Sequence, residues 1–474
     1  MKRSAPLLPL LFALAGLLVA TTAEAQQATL PPNPRLGPLY NAAILDQESK
    51  WTVNNVHDPA IFQDGDTYWV YSTDVAVGIP LVAGIQIRSS KDLIHWKWEG
   101  RAFAGVPTAA KAWTDASSLW APDIVKIGKK YYLYYAASIL YSKKSAIGLA
   151  TADRPQGPFT DQGLIIRSDE SSDPNAIDPN PFRDASGGLW MSYGSFAAGL
   201  YVVKLDPATG KPVGDLPGTL VARRSEGGAL GAEAPYVIYN PDTKKYYLFV
   251  SYDSLFSDYN VRVGRSDSPE GPYLDPLGHE MTDVDFEVPR TEIGQKLIGG
   301  YSFRSGEGWL APGHNSVLHD GDRWFLVHHA RGTTDKNWPF LQIRTLVWSD
   351  DGWPMVSPER YAGEKEGPVA ASFLPGNWEV LEIERSSWED PKAVNVRLEA
   401  DGSFTGALGT GTWKLIGDRS LQIDFVWARN GEPRTLKARL LPAWDWETNS
   451  AAWVWTGLDQ EWQVWWGKQV KRVR

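Results

Sequence analysis

The sequence predicts an all-β protein, a five-bladed β-propeller followed by a small C-terminal β-barrel or β-sandwich. Three observations carry this expectation. One hairpin unit recurs five times, every copy carries a polar residue at or near its start (Asp58, Asp123, Asp178, Glu233 and His314), and no stretch sustains a helical period. The copies read HDPAIFQDGDTYWVYSTD from His57, WAPDIVKIGKKYYLYYAAS from Trp120, IDPNPFRDASGGLWMSYGSF from Ile177, EAPYVIYNPDTKKYYLFVSYD from Glu233 and GHNSVLHDGDRWFLVHHAR from Gly313.

In chain order, residues 1–25 come first. Lys2-Arg3, an apolar run from Leu7 to Ala20 and the small-residue end Ala23-Glu24-Ala25 read as a cleaved signal peptide, so the mature chain is expected to be secreted or periplasmic. The run is too short for a membrane anchor and contains Pro9. The five hairpins follow, with turns at Asp64-Gly65-Asp66, Gly128-Lys129-Lys130, Ser186-Gly187-Gly188, Asn240-Pro241-Asp242 and Asp320-Gly321-Asp322. These residues reverse a chain cheaply, because Gly, Asn and Asp tolerate positive φ. A third strand succeeds each hairpin, such as GIQIRSS from Gly84 and NVRVGRS from Asn260. Three strands plus an outer fourth make a propeller blade. The polar, Gly- and Pro-rich stretch from Ser357 to Pro368 reads as a linker, which gives a propeller over 26–367 and a second β-region over 368–474. In that second region Trp444, Trp446, Trp453 and Trp455 could form a sugar-stacking face, although packing is the default role of such residues.

Composition excludes several functions. The chain has no cysteine, so thiolate catalysis, thiolate metal sites and disulfides are absent. Its net charge of −9 argues against a nucleic-acid partner. The 23 Trp and 19 Tyr suit a protein that handles sugars, but most should serve packing between sheets.

The chemistry follows from the repeat. Innermost strands of a propeller surround one axis, so residues that open them converge at one face. The anchors Asp58, Asp123, Asp178, Glu233 and His314 are therefore expected to meet, with Glu233 read as occupying the same repeat position as the aspartates. Asp58, Asp178 and Glu233 each precede Pro or Ala-Pro, which fixes the strand entry. Glycosidic cleavage needs one protonated carboxyl for the leaving oxygen and one ionised carboxylate for water or the sugar. A third carboxylate nearby raises the donor's pKa. His314 on the axis could hold a hard cation through water or simply hydrogen-bond an aspartate. His328 and His329 are read as packing or hydrogen-bonding residues, with Arg331 facing the cavity from the same edge. Trp120 stands at the rim, placed to stack on a sugar.

At these residues the sequence resembles glycoside hydrolase family 43, and within it the bacterial two-domain endo-1,5-α-L-arabinanases. The matching words include HDPAIF at His57, SLWAPDI at Ser118, NAIDPNPF at Asn175, GAEAPYVIYN at Gly231, SYDSLFSDYNVRVGRS at Ser251, PGHNSV at Pro312 and VHHAR at Val327. The resemblance implies an inverting enzyme that cuts internal bonds of arabinan. It implies Asp58 as general base, Glu233 as general acid and Asp178 as the residue that holds Glu233 protonated, leaving Asp123 structural or substrate-contacting. Trp120, Asn175 and Ser195 would contact the arabinosyl unit, and His314 would hold a calcium ion otherwise ligated by water. Inversion implies carboxyls about 6.5–9.5 Å apart.

Three rivals are weighed against this. An exo-acting α-L-arabinofuranosidase or β-xylosidase would use the same acids. A fructan-cleaving propeller is disfavoured by the setting of Asp58 and the absence of cysteine. A non-catalytic carbohydrate-binding propeller is disfavoured because all three acids are present.

Overall fold

A computed structural model of the chain describes Met1 and residues 27–224, 231–284, 293–304, 306–386 and 390–470. The expected signal peptide lies outside these residues apart from Met1. Five four-stranded antiparallel sheets are followed by a closed eight-stranded barrel, so the propeller expectation holds and the second region is a barrel rather than a sandwich. The innermost strands are Ala60–Asp64, Trp120–Ile127, Asn180–Arg183, Ala232–Asn240 and Trp309–Asp320. Each pairs with the next strand through one of the five expected turns. The outermost strand of the fifth blade is Pro354–Val356. The barrel runs from Gly376 to Gln469, and its first and last strands pair to close it.

Among the described residues every blade is built from consecutive strands of the chain, and none is exchanged to close the ring. Closure comes instead from side chains between the first and fifth blades. Ser316 Oγ accepts from Ile61 N at 3.1 Å and donates to Pro59 O at 2.7 Å, while Gln63 Nε2 and Tyr68 OH both donate to Asp320. The stretch before the first blade adds a strap, with Ala28 and Thr29 bonded to Pro368 and Lys365 and Val53 O accepting from Leu341 N.

Propeller and barrel share one apolar core. Leu297, Trp309, Phe340 and Trp353 of the propeller pack in the same cluster as Leu381, Leu441, Val454 and Trp466 of the barrel. Burial on this scale removes much apolar area from water, at roughly 25 cal/mol per Å². A buried ionic knot adds to it. Lys468 Nζ lies 2.9 Å from Glu359, 3.3 Å from Asp445 and 3.6 Å from Glu447. Its ammonium occupies the centre of a carboxylate trio that would otherwise look like a cation site. The four tryptophans considered for sugar stacking are spent on this interior: Trp444, Trp453 and Trp455 are buried, and Trp446 Nε1 donates to Arg360 O.

Candidate active site

Each innermost strand is entered through a kink. The residue before the entry proline adopts left-handed φ in four blades, at Asp58 (51°), Ala121 (33°), Asp178 (57°) and Ala234 (56°). In the fifth, Ala311 (47°) and His314 (46°) both do. Such conformations cost about 1–3 kcal/mol each and persist only where neighbours enforce them. Here the neighbours are the adjoining blades, and the result is a small polar axial cavity lined by Asp58, Asp123, Asp178, His314 and Asn315.

This geometry corrects the register read from sequence. The residue equivalent to Asp58 and Asp178 is Ala234, not Glu233. Glu233 stands one place earlier, level with His57, Trp120 and Ile177, whereas Asp123 stands two places after Ala121. Because side chains alternate along a strand, one residue of offset changes the direction in which the carboxyl leaves the backbone. The register shift between Glu233 and Tyr236 recurs between Trp120 and Asp123, so it belongs to the shared kink rather than to the offset. Glu233 is only partly buried and does not line the cavity, whereas Asp123, 4% exposed, does. Aligning the copies on proline rather than on the acids would have revealed this.

The surroundings separate the three carboxyls. Asp58 Oδ1 lies 2.7 Å from His57 Nδ1 and 3.0 Å from His314 Nδ1, and Oδ2 accepts from Thr73 Oγ1 at 2.5 Å. Burial works to raise its pKa, but His314 and His57 outweigh it and hold the carboxyl well below the usual range. Asp178 Oδ2 accepts from the Ala234 amide at 3.1 Å. Burial pushes it up to about 7, with Glu233 and Asp58 adding and His314 opposing. Glu233 accepts from Ser195 Oγ at Oε2 (2.9 Å) and from Tyr259 OH at Oε1 (2.6 Å). Burial raises it above the ordinary value against the pull of Tyr259, His314 and Ser195, and Asp58 contributes repulsion. Asp58 is thus biased toward its ionised form, and Asp178 and Glu233 toward their protonated forms, the division of labour that acid–base chemistry needs.

The remaining expected residues are placed as follows. His314 is pushed up to about 9, since Asp58, Asp178 and Glu233 together overcome its burial. Ser195 touches Glu233 itself. Trp120 opens its strand half-exposed, with Nε1 donating to Ser118 Oγ at 3.0 Å. Asn175 stands three residues before Asp178, and its Oδ1 is buried with no partner among the described residues. Asp123 accepts from Asn180 Nδ2 and Ile124 N, so its role is internal bonding beneath the site. His328 is fully buried, bonded to His329 O and Arg344, and held neutral by burial. Arg331 is anchored to Leu255 O and Lys336 O.

Three contributors escaped the sequence reading, and a fourth, His329, was read there only as a packing or hydrogen-bonding residue. His57 contacts Asp58, Thr73 donates to it, His329 Nδ1 accepts from the Asp58 amide at 3.2 Å, and Tyr259 reaches Glu233. His57 was adjacent to a chosen acid, and His329 and Tyr259 stood inside motifs already singled out. Thr73 lies 15 residues beyond Asp58 and carried no signal of its own.

Fold and site together define a propeller glycoside hydrolase, with one carboxyl biased toward ionisation and another toward holding a proton around one polar axis. Comparison with known proteins is specific. The domain described as "Glycosyl hydrolases family 43" matches residues 52–354, and a "C-terminal lipocalin-like domain" matches residues 358–467. The chain belongs to glycosyl hydrolase family 43. It is 32% identical to extracellular endo-alpha-(1->5)-L-arabinanase 2 of Bacillus subtilis over 78% of this chain and 84% of that one. It is 31% identical to the extracellular endo-alpha-(1->5)-L-arabinanase of Thermotoga petrophila, over 89% and 94%. The crystal structure of the Thermotoga petrophila endo-1,5-alpha-L-arabinanase superposes with a TM-score of 0.79, at 30% identity, over 89% of this chain and 99% of that one.

Proposed function

We propose that the protein hydrolyses internal α-1,5-L-arabinofuranosidic bonds of arabinan with inversion, Asp58 acting as general base and Glu233 as general acid. The observation that carries this is the contrast in partners of the two carboxyls: Asp58 lies against His57 and His314, which favour its ionised form, whereas Glu233 meets the hydroxyls of Ser195 and Tyr259 and is shifted upward by burial. The substrate comes from the relatives, whose names specify arabinan cut within the chain. In the reaction a water gives a proton to Asp58 as its oxygen bonds to the anomeric carbon. The C–O bond breaks, its electron pair goes to the leaving oxygen, and that oxygen takes the proton of Glu233. Trp120, Asn175 and Ser195 are assigned to the arabinosyl unit at the scissile bond; the unpartnered Oδ1 of Asn175 is free to accept from a sugar hydroxyl.

The test is product analysis on linear arabinan. Mixed oligosaccharides should appear early, each with a new β-configured reducing end by NMR. Arabinose alone would make the enzyme exo-acting, and a retained α-anomer would remove Asp58 as base.

Asp178 is assigned to keep Glu233 protonated and to fix it through the Ala234 amide. Above neutral pH Asp178 becomes charged and opposes ionisation of Glu233, so Asp178→Asn should move the alkaline limb of the pH–rate profile downward. An unmoved limb would leave Asp178 without that role.

A calcium ion at His314 fits the residues present. Nδ1 faces Asp58, so Nε2 would serve as ligand once the ion has displaced the ring proton that the surrounding carboxylates favour, and both amide atoms of Asn315 on the same cavity are buried with no partner among the described residues. When bound, the ion would supply fixed positive charge beneath the carboxylates. Chelation should lower the thermal midpoint and added calcium restore it, while His314→Ala should abolish the calcium response. A midpoint indifferent to calcium would reduce His314 to a partner of Asp58. Export, through the sequence at 1–25, accords with relatives named as extracellular.

A further inference from the structure

We propose that Tyr259 is a positioning residue of the reaction, its hydroxyl serving as the standing hydrogen-bond donor that stabilises Glu233 after the proton has gone to the leaving oxygen. This rests on the reading of Glu233 as general acid.

The position of the phenol is over-determined. Tyr259 is the last residue of a tight turn, its amide bonded to Ser254 O at 2.9 Å, directly before the strand Asn260–Ser266. Its ring lies parallel to that of His329, with centroids 5.9 Å apart at 18°. On another side it rests on Gly313, where a Cβ would come within 2.0 Å of Cδ1, so no larger residue fits beside it. Tyr259 is 1% exposed. From this clamp the hydroxyl reaches Glu233 Oε1 at 2.6 Å, the shorter of the two hydrogen bonds to that carboxyl.

A donor to the carboxylate acts against the proton-holding effect of burial. A carboxyl that only held its proton would be a poor donor, because the negative charge formed on transfer would have nothing to meet it. Tyr259 is suited to meet it. Burial and the charge of Glu233 push the phenol well above its ordinary pKa, so it keeps its proton throughout the working range. The other charged groups facing Glu233 are Asp58, Asp178 and His314, from three further blades. His329 faces the Tyr259 ring and stays neutral through burial. Ser195 at Oε2 has no charge. The phenol is an uncharged donor packed between His329 and Gly313, so its removal alters the acidity of Glu233 without changing the charge of the site.

The experiment is Tyr259→Phe, which keeps the ring between His329 and Gly313 and deletes the hydroxyl. On linear arabinan kcat should fall about 10-fold with KM little changed, and the alkaline limb should move to higher pH. The loss should shrink on an aryl arabinofuranoside whose leaving phenolate needs no proton. Replacing Tyr259 by a ring-fluorinated tyrosine, a stronger donor, should move the limb the other way. Circular dichroism and the thermal midpoint report whether each variant is folded. A folded Tyr259→Phe with an unmoved limb, or a fluorinated protein whose limb does not descend, would overturn the assignment. Glu233→Ala run in parallel separates the two levels: full activity there removes the acid reading beneath, whereas an inactive Glu233→Ala beside an unshifted Tyr259→Phe overturns this inference alone.

Discussion

Replacing Glu233 by alanine should lower the rate on arabinan by at least ~10³-fold, with KM little altered, because the leaving sugar oxygen would depart unprotonated. The loss should depend on the leaving group. A nitrophenyl arabinofuranoside leaves as a weakly basic phenolate, needs little protonation, and should keep most of its wild-type rate. That contrast separates a lost proton donor from a collapsed site, since a collapsed site would slow both substrates alike. The alkaline limb should also vanish, because the group whose ionisation produces it is gone. Near-normal activity on arabinan would take Glu233 out of the mechanism.

Asp58→Asn should cost about 10³–10⁴-fold on every substrate, good leaving groups included. The water is then left without a proton acceptor, and leaving-group chemistry cannot compensate. Asparagine keeps the size of the side chain and can still meet Thr73, so the kink at φ 51° and the fold should survive. The acid limb should disappear as well. In the wild type that limb should lie at low pH, because His314 and His57 hold Asp58 ionised against its burial. Azide, small enough to attack from the side of the missing base, should restore part of the activity on the nitrophenyl substrate and give a glycosyl azide of inverted configuration. A retained azide product would contradict inversion, and a variant as fast as wild type would remove Asp58 as the base.

Much of this was legible before any coordinates. The five hairpins were visible because a strand, a Gly- or Asp-rich turn and an aromatic return strand are local patterns, and each turn fell where the composition put it. That polar residues opening the blades gather around one axis was expected from repetition, and Asp58, Asp178 and His314 do line one cavity. The one-place offset of Glu233 did not follow. It depends on which residue takes the left-handed kink, and Ala234 takes it in the fourth blade where aspartates take it in the first and third.

The sequence by itself determined the all-β class, the blade repeat, the family and the set of axial residues, because strand periodicity, turn chemistry and motif spacing are written along the chain. Only the tertiary structure decided which acid is ionised and which holds a proton. That outcome depends on burial and on partners from other parts of the chain: His314 beside Asp58, Ser195 and Tyr259 on Glu233, the Ala234 amide on Asp178. It also decided that the second region closes into a barrel and that its tryptophans are buried, since strand alternation is the same in a barrel and a sandwich until the first and last strands pair. Spacing can bring charges to one axis, but their protonation depends on distances and solvent exclusion, which exist only once the blades have closed around it.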